Sequence, residues 1–184
     1  MSKIVVVYHS GYGHTKRIAE TVAESASAQL VAIDAEGNVK DSDWEALAAA
    51  DAIVFGSPTY MGTVSWQFKK FADASSKVWF TQGWKDKLAL GFTNSASMNG
   101  DKLSTLHYLF TLSQQHGMLW AGTGIMPSNK KSSTRDDINY VASFSGLMTV
   151  SPSDASTDEI PAGDFATAKA FGERVKTVAA RLAR

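Results

Sequence analysis

No cysteine occurs anywhere in the 184 residues. That absence removes disulfides, thiolate nucleophiles and thiolate-ligated metals together, and it agrees with a reducing cytoplasm. No run approaches the roughly 20 apolar residues that a membrane-spanning helix needs, and no signal-peptide pattern precedes Lys3. Net charge is missing too. The 18 basic residues balance 18 acidic ones, so no basic footprint points to nucleic acid. His9 and His14 lie five positions apart with no Asp, Glu or Cys nearby to complete a coordination set, and no metal is expected. What remains is 44% hydrophobic and 20% charged, the balance of a globular chain long enough to bury one core. A single domain over residues 1–184 is expected.

The order of elements is legible. "KIVVVY" (3–8) is a continuous β-branched run of the kind buried on both faces of a parallel sheet. Ile18, Ala19, Val22, Ala23 and Ala26 then repeat at helical spacing, with Lys16, Arg17, Glu20 and Glu24 opposite. "QLVAID" (29–34) is a second strand, and 42–49 a short helix with Ser42 as N-cap and Glu45 closing a capping box. "DAIVFGSP" (51–58) is a third strand ended by Gly56 and Pro58, followed by a helix carrying Trp66, Phe68, Phe71 and Ala72. "KLALGFTN" (87–94), a helix over 101–116 with Gly117 beyond its end, and "MLWAG" (118–122) continue the alternation. A helix over 164–182 buries Phe165, Ala168, Phe171, Val175, Val178 and Leu182. Lys169, Arg174, Lys176, Arg181 and Arg184 give it a solvated, mildly basic side. Strands alternating with helices predict a doubly wound, five-stranded parallel sheet with helices on both faces. Residues 123–163, rich in Ser, Asn, Asp and Gly, form a long connection that reads as an insertion, a functional loop or an oligomer contact, and "SGLMTV" (145–150) is a short strand candidate within it. Trp66, Trp84 and Trp120 read as core or interface.

Open parallel sheets gather ligands beyond the carboxyl ends of their strands. The loop "HSGYGHT" (9–15) leaves the first strand there and runs into a helix N-terminus, where free N–H groups and the helix dipole favour an anion. Ser10 and Thr15 add hydroxyls, while Gly11 and Gly13 let the backbone turn closely around a phosphate. Dinucleotide and P-loop patterns do not fit, because Lys16 stands where the former needs a third glycine and the latter is absent. Taken alone, the loop is served equally well by helix capping and turn chemistry. Two more loops, "GSPTYMGTV" (56–64) and "TNSASMNGD" (93–101), share that edge and carry an aromatic, methionines, glycines and neutral polar groups. A phosphate beside one loop and a flat heteroaromatic ring between two others describe a mononucleotide cofactor, and FMN fits best. Position alone makes His116 a helix C-terminal residue favoured by the dipole, and Tyr12 an exposed loop aromatic.

On "YHSGYGHT", "SPTYMG" and "QHGM" (115–118), the chain resembles the flavodoxin-like family, and within it the WrbA-type NAD(P)H:quinone oxidoreductases. The likeness runs through nearly the whole chain in order and spacing. It implies that Ser10, Gly11, Tyr12, Gly13, His14 and Thr15 hold the FMN phosphate, and that Pro58, Thr59, Tyr60, Met61 and Gly62 flank the ring. Thr93, Asn94, Ser95, Ala96, Ser97 and Gly100 would follow the ring edge and ribityl chain. His116 would approach the flavin, and Tyr12 would stand where nicotinamide or quinone arrives, making these two the candidate catalytic residues. Trp79, in "KVWF", resembles an aromatic that lines the substrate pocket across a subunit contact. Two positions depart from the pattern. The family's second loop often reads P-T-R-F-G, where this chain has Tyr60 and Met61, and its third loop is often glycine-rich, where this chain has only Gly100.

The implied function is FMN-dependent transfer of two electrons from NADH or NADPH to a quinone by a ping-pong cycle, in a cytoplasmic homo-oligomer (a dimer or tetramer). Backbone amides near Gly62 and Asn94 would stabilise charge on the ring. An electron carrier of the flavodoxin type and a weakly FMN-binding regulatory or scaffold module are the alternatives. Carriers tend to be strongly acidic, and the balanced charge here favours the reductase.

Overall fold

In the computed structural model, which describes residues 2–182, the chain alternates seven strands with six helices. Arg184 of the expected basic helix face lies outside the described residues. Strands β1 (Ile4–Tyr8), β2 (Gln29–Ala32), β3 (Ala52–Tyr60) and β5 (Leu88–Ser95) stand parallel in the order β2-β1-β3-β5. Helices are α1 (His14–Ala26), α2 (Asp41–Ala49), α3 (Trp66–Ala74), α4 (Ser76–Phe80), α5 (Lys102–Gln115) and α6 (Ala162–Leu182). Successive strand residues point to opposite faces, which divides the core in two. Ile4, Val6, Val54 and Leu90 pack against α1 and α6 through Ile18, Val22, Phe171 and Val175. Val5, Val7, Ile53 and Phe55 pack against α2, α3 and α5 through Leu47, Phe68, Phe71, Leu106 and Leu109. Each such large side chain contributes about 1.5–3 kcal/mol by burial. The buried Trp84 joins the second layer, against Phe55, Phe71 and Trp44, while Trp66 is exposed.

The doubly wound parallel sheet is as expected, but it has seven strands rather than five. The fifth position is shared. β6 (Leu119–Trp120) pairs with Leu88 and Ala89, and β7 (Leu147–Val150) pairs with Phe92 through Ser95 further along the same strand. The chain leaves the sheet after Trp120 and returns in parallel at Leu147, so the long connection is an excursion within one strand position. Asn139 anchors it, donating its backbone N–H to the Thr167 hydroxyl (2.8 Å) and its amide to Ile125 O (2.9 Å). The seventh strand, β4 (Thr63–Val64), is antiparallel to the end of β3.

Two local expectations are corrected. Helix α2 starts at Asp41, and the Asp43 carboxylate accepts the Lys40 N–H at 3.0 Å. Ser42 therefore lies inside the first turn, and Asp43 rather than Glu45 closes the box. Gly56 and Pro58 do not end β3, which runs on to Tyr60. Gly56 is required inside the strand because Phe92 lies over it, and a Cβ there would sit 2.1 Å from Phe92 Cζ. No helix among the described residues is long and apolar enough to cross a membrane.

Candidate functional site

The carboxyl ends of β1, β3, β5 and β7 open onto one cleft of about 350 Å³. Its first wall is the loop between β1 and α1. Gly13 precedes α1 with φ 93°, a conformation that side chains resist, and no side chain caps the helix. The Ser10 hydroxyl accepts the Gly13 N–H at 3.1 Å and folds the loop back on itself. Helices α2 and α3 are capped from within the protein, by Asp43 and by Ser65. The uncapped α1 presents its N-terminus to the cleft through His14 and Thr15. A Cβ on Gly11 would lie 2.6 Å from Tyr60 Oη, so glycine lets the first and second loops touch.

The second wall is a tight hairpin. Met61 and Gly62, at φ 47° and 84°, supply the two left-handed positions of a two-residue turn between Tyr60 and Thr63. Met61 is 102% exposed, a long apolar side chain held out at a strained position. Below it, the Thr59 hydroxyl shares hydrogen bonds with Thr93 (2.8 Å) and Thr105 (2.7 Å), tying β3, β5 and α5 together. Tyr60 meets Tyr12 edge to face, with centroids 6.2 Å apart. Burial, with the neighbouring Tyr12 second, pushes the Tyr60 pKa up, so its phenol keeps its proton.

The third wall is the loop after β5. Asn94 Oδ1 accepts from the Thr149 (2.8 Å) and Ser151 (3.1 Å) hydroxyls, which locks β5 to the end of β7. Ser95 and Ala96 line the cleft.

Of the sequence-expected residues, Tyr12, His14, Thr15, Pro58, Thr59, Tyr60, Asn94, Ser95 and Ala96 line this cleft together. Ser10, Gly11 and Gly13 build the first wall's backbone, Met61 and Gly62 form the hairpin tip, and Thr93 lies buried behind Thr59. Ser97 and Gly100 belong to the third loop. His116 and Trp79 are not in the cleft. The His116 ring is buried against Trp84 (centroids 4.4 Å) and shares a hydrogen bond with the Ser75 hydroxyl through Nε2 at 2.9 Å. Trp79, 50% exposed, borders separate grooves in which His116 and Gln115 also take part. Burial lowers the His116 pKa to about 4, so the ring is neutral at pH 7.

Sequence reasoning missed a fourth wall. Ser151 and Ser153, just past β7, also line the cleft. Their segment is strapped to the first loop, where His14 Nε2–H donates to Ala155 O at 2.9 Å. The signal was present in "SGLMTV": a strand parallel to β5 delivers whatever follows it to the same edge. The buried Lys102, whose ammonium bonds to Ser95, was missed as well.

The order of the sheet and a cleft at the ends of its inner strands define a flavodoxin-like α/β protein. The "Flavodoxin domain" family model matches residues 5–82. Over 99% of both chains, this chain is 52% identical to "Flavodoxin FldP" of Pseudomonas aeruginosa (strain UCBPP-PA14), and it belongs to the flavodoxin-like family. It is 32% identical to an "NAD(P)H dehydrogenase (quinone)" of Geotalea uraniireducens (strain Rf4), covering 99% of this chain and 100% of that one. Among solved structures it is similar to the flavodoxin, WrbA-like protein from Agrobacterium tumefaciens, with TM-score 0.80 and 53% identity over 98% of this chain and 99% of the other. Membership of the family implies flavin binding.

Proposed function

We propose that the cleft holds FMN, and that the protein is an oxidoreductase carrying two electrons from NADH or NADPH to a quinone. The observation that carries this reading is the chemistry of the cleft wall. None of its lining residues is Asp, Glu, Lys or Arg; the wall is made of hydroxyls, an amide, a histidine, two tyrosines, a proline and an alanine. Such a wall suits a flat, polar-edged ring and an equally flat, neutral acceptor. A macromolecular partner would be steered by surface charge, and the chain's charges balance.

The residues fit the cofactor. A Cβ on Gly11 would run into Tyr60 and one on Gly13 would meet Thr157, so the two glycines let the first loop draw in close. The uncapped N-terminus of α1 would offer N–H groups to a phosphate, with the Ser10 and Thr15 hydroxyls beside them. Pro58, Thr59 and Tyr60 on one side, and Asn94 to Ala96 on the other, would hold the ring. FMN, when bound, supplies a ring that takes two electrons from a nicotinamide and returns them to an acceptor. Tyr12, 82% exposed at the mouth, offers its face to whichever planar molecule arrives. The Tyr60 phenol, kept protonated by burial, remains a hydrogen-bond donor. Donor and acceptor would use the one open mouth in turn, which is the basis of a ping-pong cycle. A cytoplasmic homo-oligomer, dimer or tetramer, belongs to the same reading, with the exposed Trp79 and Phe80 as candidate contact aromatics.

A second reading is a flavodoxin-type electron carrier. It is favoured by the placement of His116, the residue expected to approach the flavin, on a face other than the cleft, and by the name of the 52% identical relative. One anaerobic experiment separates the two. The purified protein is saturated with FMN, freed of excess and mixed with NADH or NADPH, then with benzoquinone, while flavin absorbance is followed. Bleaching followed by recovery is the expected outcome. Retained flavin that neither nicotinamide bleaches supports the carrier, and no retained flavin overturns FMN binding.

A further inference from the structure

Lys102 is 0% exposed, a lysine buried at the start of a helix. It opens α5, where the helix dipole favours anions, and burying an ammonium forfeits its hydration. Three acceptors offset that cost. Lys102 Nζ donates to Ser95 Oγ (2.8 Å), Ser97 O (2.7 Å) and Met98 O (2.8 Å), which uses all three ammonium protons. Ser95 Oγ in turn donates to Ser97 O at 3.1 Å. Gly100, at φ 54°, approaches so closely that a Cβ there would lie 2.2 Å from Ser95 Oγ. The third loop is therefore wound around one ammonium group. The same Ser95 lines the cleft, so the charge stands one side chain behind the cleft wall.

We propose that Lys102 is a positioning residue that sets the redox balance of the site: it builds the third loop, and its charge behind Ser95 favours the electron-rich reduced cofactor over the oxidised one. This deepens the FMN reading and rests on it. A fixed cation at the edge of a site that gains electrons lowers the energy of the charged product without moving at the moment of transfer. The groups acting on it are Asp164 of α6, which favours the ammonium, and Arg135 of the long connection, which opposes it, with Asp101 preceding it in the chain. Burial, with Arg135 acting in the same direction, outweighs Asp164 and brings the Lys102 pKa down to about 8, so the cation is one that mild alkali can discharge.

The test uses the FMN-loaded full-length protein and its Lys102→Met and Lys102→Arg variants. Affinity for oxidised and for reduced FMN is measured, together with the two-electron midpoint potential against a redox dye. In Lys102→Met, affinity for the reduced form falls roughly tenfold more than affinity for the oxidised form, a drop of about 30 mV for a two-electron couple. Lys102→Arg, which keeps the charge, keeps the wild-type ratio of the two affinities. In the wild type, the potential falls more steeply with pH above about 8, because reduction there also draws a proton onto Lys102. A Lys102→Met variant with the wild-type potential overturns the proposal and leaves Lys102 a structural tie. Should that variant fail to fold or to keep FMN, an unchanged pH slope in the wild type overturns it equally. A wild-type protein that retains no FMN overturns the reading beneath it as well.

Discussion

Acid reports directly on the packing of His116. Its ring is 5% exposed, tilted by 40° against Trp84 and linked to Ser75, and its Nδ1 is buried without a hydrogen-bond partner. Burial lowers its pKa from 6.5 to about 4. Between those values the unfolded chain binds a proton that the folded chain refuses, so stability rises with pH across this window. The contribution is complete above the unfolded value and is lost as pH falls through the window. Linkage puts the loss at roughly 2 kcal/mol by pH 5 and about 3 kcal/mol by pH 4. His116→Gln keeps a polar group of similar reach and removes the titration. Urea unfolding of both proteins at about pH 7.5 and pH 5 is the assay, read as the difference between the two pH dependences. Carboxylates and His9 titrate in both proteins and cancel. The wild type is expected to lose about 2 kcal/mol more than the variant on acidification. Equal losses would refute the claim that this ring is held neutral by its surroundings.

Substitutions at two further positions probe the site's frame. Gly13→Ala forces a Cβ onto φ 93° and to 3.0 Å from Thr157 Cγ2, for a cost of about 1–2 kcal/mol. It should lower the thermal midpoint by roughly 2–8 °C and weaken FMN retention, and an unchanged midpoint would show that the loop is not strained there. Asp164 Oδ2 accepts from both Val150 N–H and Arg135 Nη2 at 2.8 Å. Asp164→Ala strands both donors and should cost about 3 kcal/mol in chemical denaturation, whereas Asp164→Asn keeps an oxygen for Val150 and should cost less. Equal costs for the two variants would show that the oxygen does not hold β7 in place.

The inner strands were legible in the sequence because β1, β3 and β5 are buried on both faces, which leaves continuous apolar runs with no polar alternation. The start of α2 was not, because Asp41, Ser42 and Asp43 are all residues that favour helix starts, and only the backbone decides which of them does so. The first loop announced itself through glycines and hydroxyls beside a helix start. His116 did not, because its ring direction depends on Ser75 and Trp84, far away in the sequence. Lys102 gave a faint signal that pattern reading passes over: a lysine in the first turn of a helix, where the dipole opposes it. Its role depends on a loop folding back over it, and no periodicity encodes that.

The split fifth strand position shows how topology supplies what composition hides. "MLWAG" and "SGLMTV" each read as short strands, but nothing in either says that they occupy one sheet position end to end. The length of β5 settles it. Its eight residues exceed what the two-residue β6 covers, and the free half, Phe92 to Ser95, is filled by β7. Because β7 is parallel to β5, its carboxyl end must emerge where the first, second and third loops already converge. The Ser-rich stretch after Val150 is thereby delivered to the cleft, placing Ser151 and Ser153 in its wall and Ala155 on His14. The excursion over residues 121–146 can thus vary in length without disturbing the site, provided that its Arg135 and the Asp164 it pairs with keep Val150 in register with Ser95.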